Sequence, residues 1–413
     1  MKITNKGLLR LIFTMKGNFS KGVYPTAKIF DGVEIAAFKN NSRAAISISA
    51  DFELSWAWRE LSKKERELRG RRSRENFPLI LEILKEYGIP ITWATVGHLF
   101  LRDCKRGISG LAHPDMPRPS RNDRWNGDWY LHDPCTNWRE DPLWYCPDLI
   151  EKIIESEVPH EIGCHSFSHI DLSPTHSSKE LVTREIQECA KAMKPFGLKP
   201  RTLVFPFNRM GYTHLDLLSQ LNITAVRHRD KNIKLSYPER TSSGIHKIYE
   251  SMNLRMPTKY DYLDKVKIFI REALRRQAVY HIYFHPSDPM PIFENEFRRI
   301  IGYISDERRK GDIWVATMSE LAAYCEAREG VHLEIHRNAK ETQIQMRSSL
   351  NTVSYGTPSL TLLIPTLSPP RQVIVGFQHG GEALMEDKDA VRQEHDRVLI
   401  NIPVTARSLK LRF

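Results

Sequence analysis

The chain predicts an α/β protein: a parallel sheet covered by helices, followed by a small antiparallel β module. Three observations carry this. Short β-rich runs alternate with amphipathic helical runs from residue 44 to about 328, as βα units do. Seven or eight such strands over that length suit a closed barrel better than an open sheet. From residue 331 the helical period disappears, and strand-like runs separated by turn-formers take over.

The elements follow in order. "AAISISAD" (44–51) alternates small residues with isoleucine, as a strand does. A helix is expected at about 75–87, where Phe77, Ile80, Leu81 and Leu84 share one face and Gly88 stops the run. "IPITWATV" (89–96) is β-branched and reads as the second strand. Further strands are expected at "PHEIGC", "RTLVFP", "ITAVRH", "HKIYES", "AVYHIYF" and "DIWVAT". Helices are expected at about 178–194, 213–221, 261–276, 294–310 and 318–327. Residues 102–147 break the rhythm: they are rich in Pro, Asp, Trp and His, with Trp125, Trp129, Trp138 and Trp144. A long insertion without period is usually functional or disordered, and four tryptophans favour function. "VHLEIHR", "SLTLLIP", "RQVIVGF" and "RVLINIPV" make the C-terminal module, expected to be a sandwich. The organisation expected is an N-terminal extension (1–43), the α/β domain (44–328) and an accessory module (331–413).

Composition sets the outer limits. The 413 residues are 41% hydrophobic and 27% charged, which fits a globular protein. The formal net charge is +11, and many basic residues fall in "RELSKKERELRGRRSR" (59–74). That run is a solvated helical face or an attraction for an anionic surface; no nucleic-acid-binding signature accompanies it. The cysteines at 104, 135, 146, 164, 189 and 325 include no Cys-x-x-Cys pair, so reduced thiols in a cytoplasm are expected. The apolar N-terminal stretch is broken by Arg10 and Lys16, which argues against a signal peptide, and no run is long enough for a membrane span.

A barrel brings the C-terminal ends of its strands to one face, where catalytic groups gather. The first strand ends in "SADFE", with Asp51 and Glu53 two apart and facing one side. The third ends in "CHSFSH", with His165 and His169; the two can meet one ion if that segment turns helically. The fourth ends in "FPFNRMG", with Asn208 and Arg209, and a late strand ends in "YFHPSD", with His285 and Asp288. One carboxylate and two imidazoles hold a metal with an open position. A second carboxylate can take a proton from water, and a third imidazole can donate one.

These motifs, with "ITWATVGHLFL" (91–101) and "GDIWVATMSELAAY" (311–324), resemble the polysaccharide deacetylase (NodB-homology) family, carbohydrate esterase family four. The resemblance covers residues 44–325, looks closest to a subgroup found among bacterial surface-polysaccharide genes, and is silent on the C-terminal module. It implies a distorted (β/α) barrel of about seven strands and hydrolytic removal of N- or O-acetyl groups from amino sugars in a polysaccharide or lipid-linked glycan. It places Asp51 as base, His285 as acid, and His165 and His169 on a divalent metal, zinc before other first-row ions. Phe52 stands where many members have a metal-binding aspartate, so Glu53 is assigned to the metal, with the roles of Asp51 and Glu53 open to exchange. Pro206, Phe207, Asn208 and Arg209 fall in the substrate-groove motif, and Trp129 of the insertion is a candidate wall for the sugar. Position 207 commonly holds an arginine that orients the base; with Phe207 there, Arg209 or Arg201 would have to reach in. A barrel of the same fold acting on another non-peptide C–N bond, as a deformylase or cyclic amide hydrolase, or a non-catalytic glycan-binding barrel, are the competing readings.

Overall fold

The computed structural model describes the chain except residues 1–18, 212–213, 256–260, 367, 378–380 and 386–389. The apolar stretch near the N-terminus, expected not to be a leader, lies outside the described residues. The main sheet has ten strands among the described residues, and eight of its parallel strands are β1 (Ala44–Phe52), β2 (Thr92–Thr95), β3 (Glu161–Cys164), β4 (Thr202–Val204), β5 (Ala225–His228), β6 (His246–Tyr249), β7 (Met252–Leu254) and β8 (Val279–Phe284). β6 and β7 are two halves of one run interrupted at Glu250 and Ser251. The first half pairs with β5, the second with β8, and β8 pairs with β1. The sheet therefore curls back on itself with seven staves, as the number of strands in the sequence suggested. The distortion lies at β1, whose first half pairs with β9 (Ile313–Val315) and whose second half pairs with β2 on the same edge.

The alternation in β1 explains its place. Ile46, Ile48, Ala50 and Phe52 point outward into the core beneath the helices, while Ala45 points into the bore. The bore is narrow, and the side chains that fill it with Ala45 are small or slim: Ala94, Val204, Ala225, Ile248 and Val279. The helix α7 (Met318–Gly330) stoppers the N-terminal end with Met318, Leu321, Ala322 and Cys325. Functional side chains are left the opposite mouth.

The helices around the barrel are α1 (Lys63–Tyr87), α2 (Pro147–Ile154), α3 (Lys179–Met193), α4 (Leu215–Gln220), α5 (Tyr262–Arg276) and α6 (Arg298–Arg309). Helix α1 starts well before the expected residue 75, because Ser62 and Glu65 form a reciprocal capping box. It ends as expected at Gly88, whose φ of 61° favours glycine. The basic run thus belongs largely to α1, but it is not all surface: Arg59 is buried, and Arg74 forms a bidentate pair with Asp148 at 2.8 and 2.9 Å.

The C-terminal module consists of two five-stranded antiparallel sheets. They face each other across one apolar core that includes Ile35, Leu362 and Ile400 from one sheet and Ile344, Val375 and Leu409 from the other. The expected separate extension before residue 44 is not separate: Ile29–Phe30 and Val33–Ile35 are strands of this sandwich. Helix α7 is shared, since Tyr324 and Ala327 enter the sandwich core and the Tyr324 hydroxyl donates to the Ala36 carbonyl at 3.0 Å. No described helix is long and apolar enough to cross a membrane.

Phe77 of α1 stacks on Phe52 at 5.7 Å and lies 5.4 Å from Trp93, fully buried. Phe77→Ala is expected to destabilise the barrel by about 3–5 kcal/mol, read from its denaturant-unfolding transition.

Candidate active site

The mouth of the barrel collects the expected residues. Asp51 and Glu53 are both 4% exposed, and both face inward from the end of β1. His165 and His169 come from the loop after β3, which is not a simple helical turn: Ser166 and His169 have φ of 56° and 52°. Leu54, Phe207 and Asn208 at the same mouth also adopt left-handed backbone, with φ of 47°, 60° and 54°. Each such residue costs about 1–3 kcal/mol unless its surroundings impose it.

The surroundings of the histidine loop do impose it. Gly97 and His98 donate backbone N–H bonds to the carbonyls of Ser166 and Phe167 at 2.8 and 2.9 Å. Glu185 of α3 accepts from the Ser168 N–H at 2.9 Å and its hydroxyl at 2.7 Å. Arg59 donates to the carbonyls of Ser168 and His169 at 2.6 and 3.3 Å. Its guanidinium lies against Trp56, Trp125 and Trp129, 4.7, 4.8 and 4.4 Å from their ring centroids. Burial lowers its pKa to about 9, which still leaves it charged at neutral pH. Trp129 is therefore not the sugar wall expected of it. Its face is taken by Arg59, its N–H donates to the Ser168 hydroxyl at 2.9 Å, and it borders a smaller neighbouring cavity of about 390 Å³. Trp58 lines the main cavity instead.

Glu53 is the centre of one group. Its Oε1 lies 3.0 Å from His165 Nε2 and 3.0 Å from His169 Nε2. His165 Nδ1 faces the Val204 carbonyl at 2.7 Å. A carbonyl only accepts, so the proton of a neutral ring sits on Nδ1 and Nε2 presents a lone pair. Burial holds the His169 pKa down to about 4, against the pull of Glu53, so that ring is neutral. Burial pushes the Glu53 carboxyl up, but the two imidazoles outweigh it and hold it well below its usual range. Glu53 Oε1, His165 Nε2 and His169 Nε2 thus converge on one point, a donor set that a divalent cation fits.

Asp51 is the centre of the other. Arg227 grips both its oxygens, at 2.5 Å on Oδ1 and 2.7 Å on Oδ2, and also donates to Ser49 and Asn208. Burial raises the Asp51 pKa, but Arg227 outweighs it and keeps the carboxylate ionised below its ordinary range. His285 Nε2 lies 3.7 Å from Asp51 Oδ2, and its Nδ1 lies 3.8 Å from Asp288. Burial opposes charge on His285, but Asp288, Glu53 and Asp51 together raise its pKa. The arginine that holds Asp51 is therefore neither Arg209 nor Arg201. Arg209 pairs with Asp171 at 2.7 Å, and Arg201 borders a different cavity with Tyr355 and Gly356. Arg227 comes from β5; the signal for it was a lone arginine inside the apolar strand "ITAVRH".

The two groups open into a cavity of about 530 Å³ whose lining includes Trp58, Phe207, Asn208, Arg227, Tyr283 and His285. Pro206 is buried beneath it. The Phe207 ring lies 4.6 Å from that of His169, with the Arg124 guanidinium on its face at 3.3 Å. Asn208 Oδ1 accepts from Arg227 at 3.0 Å.

Residues 69–226 match the family model described as polysaccharide deacetylase. No curated protein matches the chain significantly. Among solved structures, the chain is similar in fold to a candidate polysaccharide deacetylase from Mycobacterium smegmatis, with 13% identity and a TM-score of 0.50 over 73% of this chain and 93% of that one. A family 4 acetyl xylan esterase from Clostridium thermocellum, solved with a cobalt ion, has 13% identity and a TM-score of 0.36 over 67% and 89%.

Removing Arg227 would strand a buried carboxylate. Arg227→Met is expected to destabilise the fold by about 3–5 kcal/mol. Adding Asp51→Asn should restore much of that loss, a coupling that denaturant titration of the four-member cycle reads directly.

Proposed function

We propose, from the premise that this barrel is a polysaccharide deacetylase domain and a hydrolase of carbon–nitrogen bonds, that the chain removes N-acetyl groups, or O-acetyl groups, from an amino-sugar-containing polysaccharide or lipid-linked glycan in surface-polysaccharide biosynthesis. The observation that carries this is the pairing of two centres at one mouth: Glu53 with two imidazole nitrogens at 3.0 Å, and Asp51 held by Arg227 beside a third imidazole.

Glu53, His165 and His169 would hold the divalent cation, zinc before other first-row ions. Bound there, the ion supplies a Lewis acid for the acyl oxygen and lowers the pKa of water. Asp51 takes the proton of the attacking water; Arg227 keeps it ionised and aimed. The N–H groups of Asn208 and Arg209 are spent on the carbonyls of Phe205 and Pro206, so among these residues Phe207 offers the backbone donor for the oxyanion. His285, whose pKa Asp288, Glu53 and Asp51 raise, gives its proton to the departing amine nitrogen. A non-catalytic glycan-binding barrel drew its support from Phe207, and an arginine on Asp51 from another strand takes that support away. Six free thiols suit a reducing cytoplasm, where we place the protein.

Acetate release from acetylated surface glycans of the source organism should occur, stop with chelator, and return with zinc; release that ignores the chelator would remove the metal from the mechanism. His165→Ala should lose turnover together with bound metal. His285→Ala should keep the metal and lose about 10²–10⁴-fold in kcat. His285 acts while protonated, so its contribution is lost as pH rises through its raised pKa. Asp288→Asn, which removes a neighbour that raises it, should move the alkaline limb of kcat/KM to lower pH.

A further inference from the structure

Behind the histidine loop lies a second convergence of ligand-type side chains that hydrolysis does not use. His98 sits on the turn Gly97–Phe100 after β2, and Cys104, His113 and Asp133 come from the insertion. Asp133 Oδ2 lies 3.0 Å from His98 Nε2 and 2.9 Å from His113 Nε2. The two nitrogens are 3.1 Å apart, and Cys104 Sγ is 3.7 Å from the same oxygen. His98 and Asp133 are buried. Cys104 and His113 border a cavity of about 700 Å³ whose rim carries exposed Arg102 and Lys105, a route for an ion from solvent.

The cluster also carries hydrogen bonds: Cys104 Sγ lies 3.2 Å from the Tyr145 hydroxyl, and that hydroxyl donates to Asp133 Oδ1 at 3.4 Å. His98 Nδ1 faces the Trp144 carbonyl at 3.4 Å, so a neutral ring carries its proton there and turns a lone pair from Nε2 to Asp133. Asp133 Oδ1 already accepts from the Cys135 N–H at 2.9 Å, which leaves Oδ2 aimed at the imidazoles. A proton on His113 Nε2 or a cation at the centre can join these atoms, and a thiol, a carboxylate and two imidazoles together form a donor set that zinc takes. A tetrahedral zinc site, with bonds of ~2.1 Å to nitrogen and oxygen and ~2.3 Å to sulfur, has edges of about 3.4 Å between N and O atoms and about 3.6 Å between S and O. The separations found approach those edges, with the nitrogen and oxygen atoms slightly closer together.

We propose that His98, Cys104, His113 and Asp133 form a structural zinc site, separate from the active centre. A thiolate, a carboxylate and two neutral imidazoles balance a divalent ion, which suits a buried position. Four protein ligands leave no open position, the mark of a structural rather than a catalytic ion. Its task is to fasten an insertion with little regular structure to the barrel rim. It also backs the active site: the His98 N–H donates to the Phe167 carbonyl, and the His98 and His113 rings lie 5.6 and 5.3 Å from the Phe167 ring, between His165 and His169.

The test uses the full chain, stripped with chelator and reloaded with Co²⁺. The active centre contains no sulfur ligand, so a thiolate-to-cobalt charge-transfer band in the near ultraviolet reports this site alone. The band is expected in the unmodified chain, in His165→Ala and in Cys135→Ser, and lost in Cys104→Ser. A cobalt-loaded chain without the band, or a band that survives Cys104→Ser, overturns the proposal. Should Cys104→Ser not fold, the zinc content of His165→Ala decides: one equivalent per chain supports the site, none overturns it.

Discussion

A carboxylate buried at the mouth of a barrel must be compensated within a few ångströms, and that requirement organises this structure. β1 carries two of them, Asp51 and Glu53, both nearly sealed from water. Each needs a polar partner, and the barrel supplies one from each side: the Arg227 guanidinium from β5 for Asp51, and the imidazoles after β3 for Glu53. Since β1 lies between β8 and β2, neither partner is a sheet neighbour; each reaches across the bore. This is possible because the residues lining the bore below are small.

Strain at the mouth follows from the same geometry. To bring His165 and His169 onto one oxygen, the loop turns through left-handed backbone at Ser166 and His169. Nothing local favours that shape in a non-glycine residue. It is held from outside by Glu185, Arg59 and the Gly97–His98 backbone. These supports are themselves buried polar groups, and their own partners come from the tryptophan-rich insertion. The insertion is thus a scaffold for the histidine loop as much as a cover, which is why Trp129 faces Arg59 and not the cavity.

The fold was legible to the degree that it rests on local pattern. Strand and helix runs such as "AVYHIYF" and Val182–Met193 declare their period, and the order of motifs at strand ends pointed to one pocket. What could not be read depends on long-range closure. The start of α1 at Ser62 was hidden by a charged run with little apolar period, although Ser62 and Glu65 carry the capping signature. The strand Val33–Ile35 finds a partner more than three hundred residues away, at Leu362 and Leu363. Arg227 and Arg59 act through geometry that no spacing encodes. The same holds for His98, Cys104, His113 and Asp133, whose separations match no short motif.

The allocation of roles between Asp51 and Glu53 was open in the sequence, because two carboxylates two apart on a strand are equivalent until their neighbours are known. The neighbours differ in kind. Both oxygens of Asp51 are engaged by the Arg227 guanidinium, a group that cannot give up its charge and leaves little lone-pair density for a second cation. A carboxylate held this way stays ionised and stays in place, as a proton acceptor beside the reacting atoms must. Glu53 is approached by two imidazole nitrogens, His165 Nε2 and His169 Nε2, with which it can share a cation. An exchange of roles would require Arg227 to release Asp51 and leave a guanidinium buried beside Glu250 and Tyr283 without its main partner. On the function proposed above, these pairings support Glu53 on the ion and Asp51 on the water.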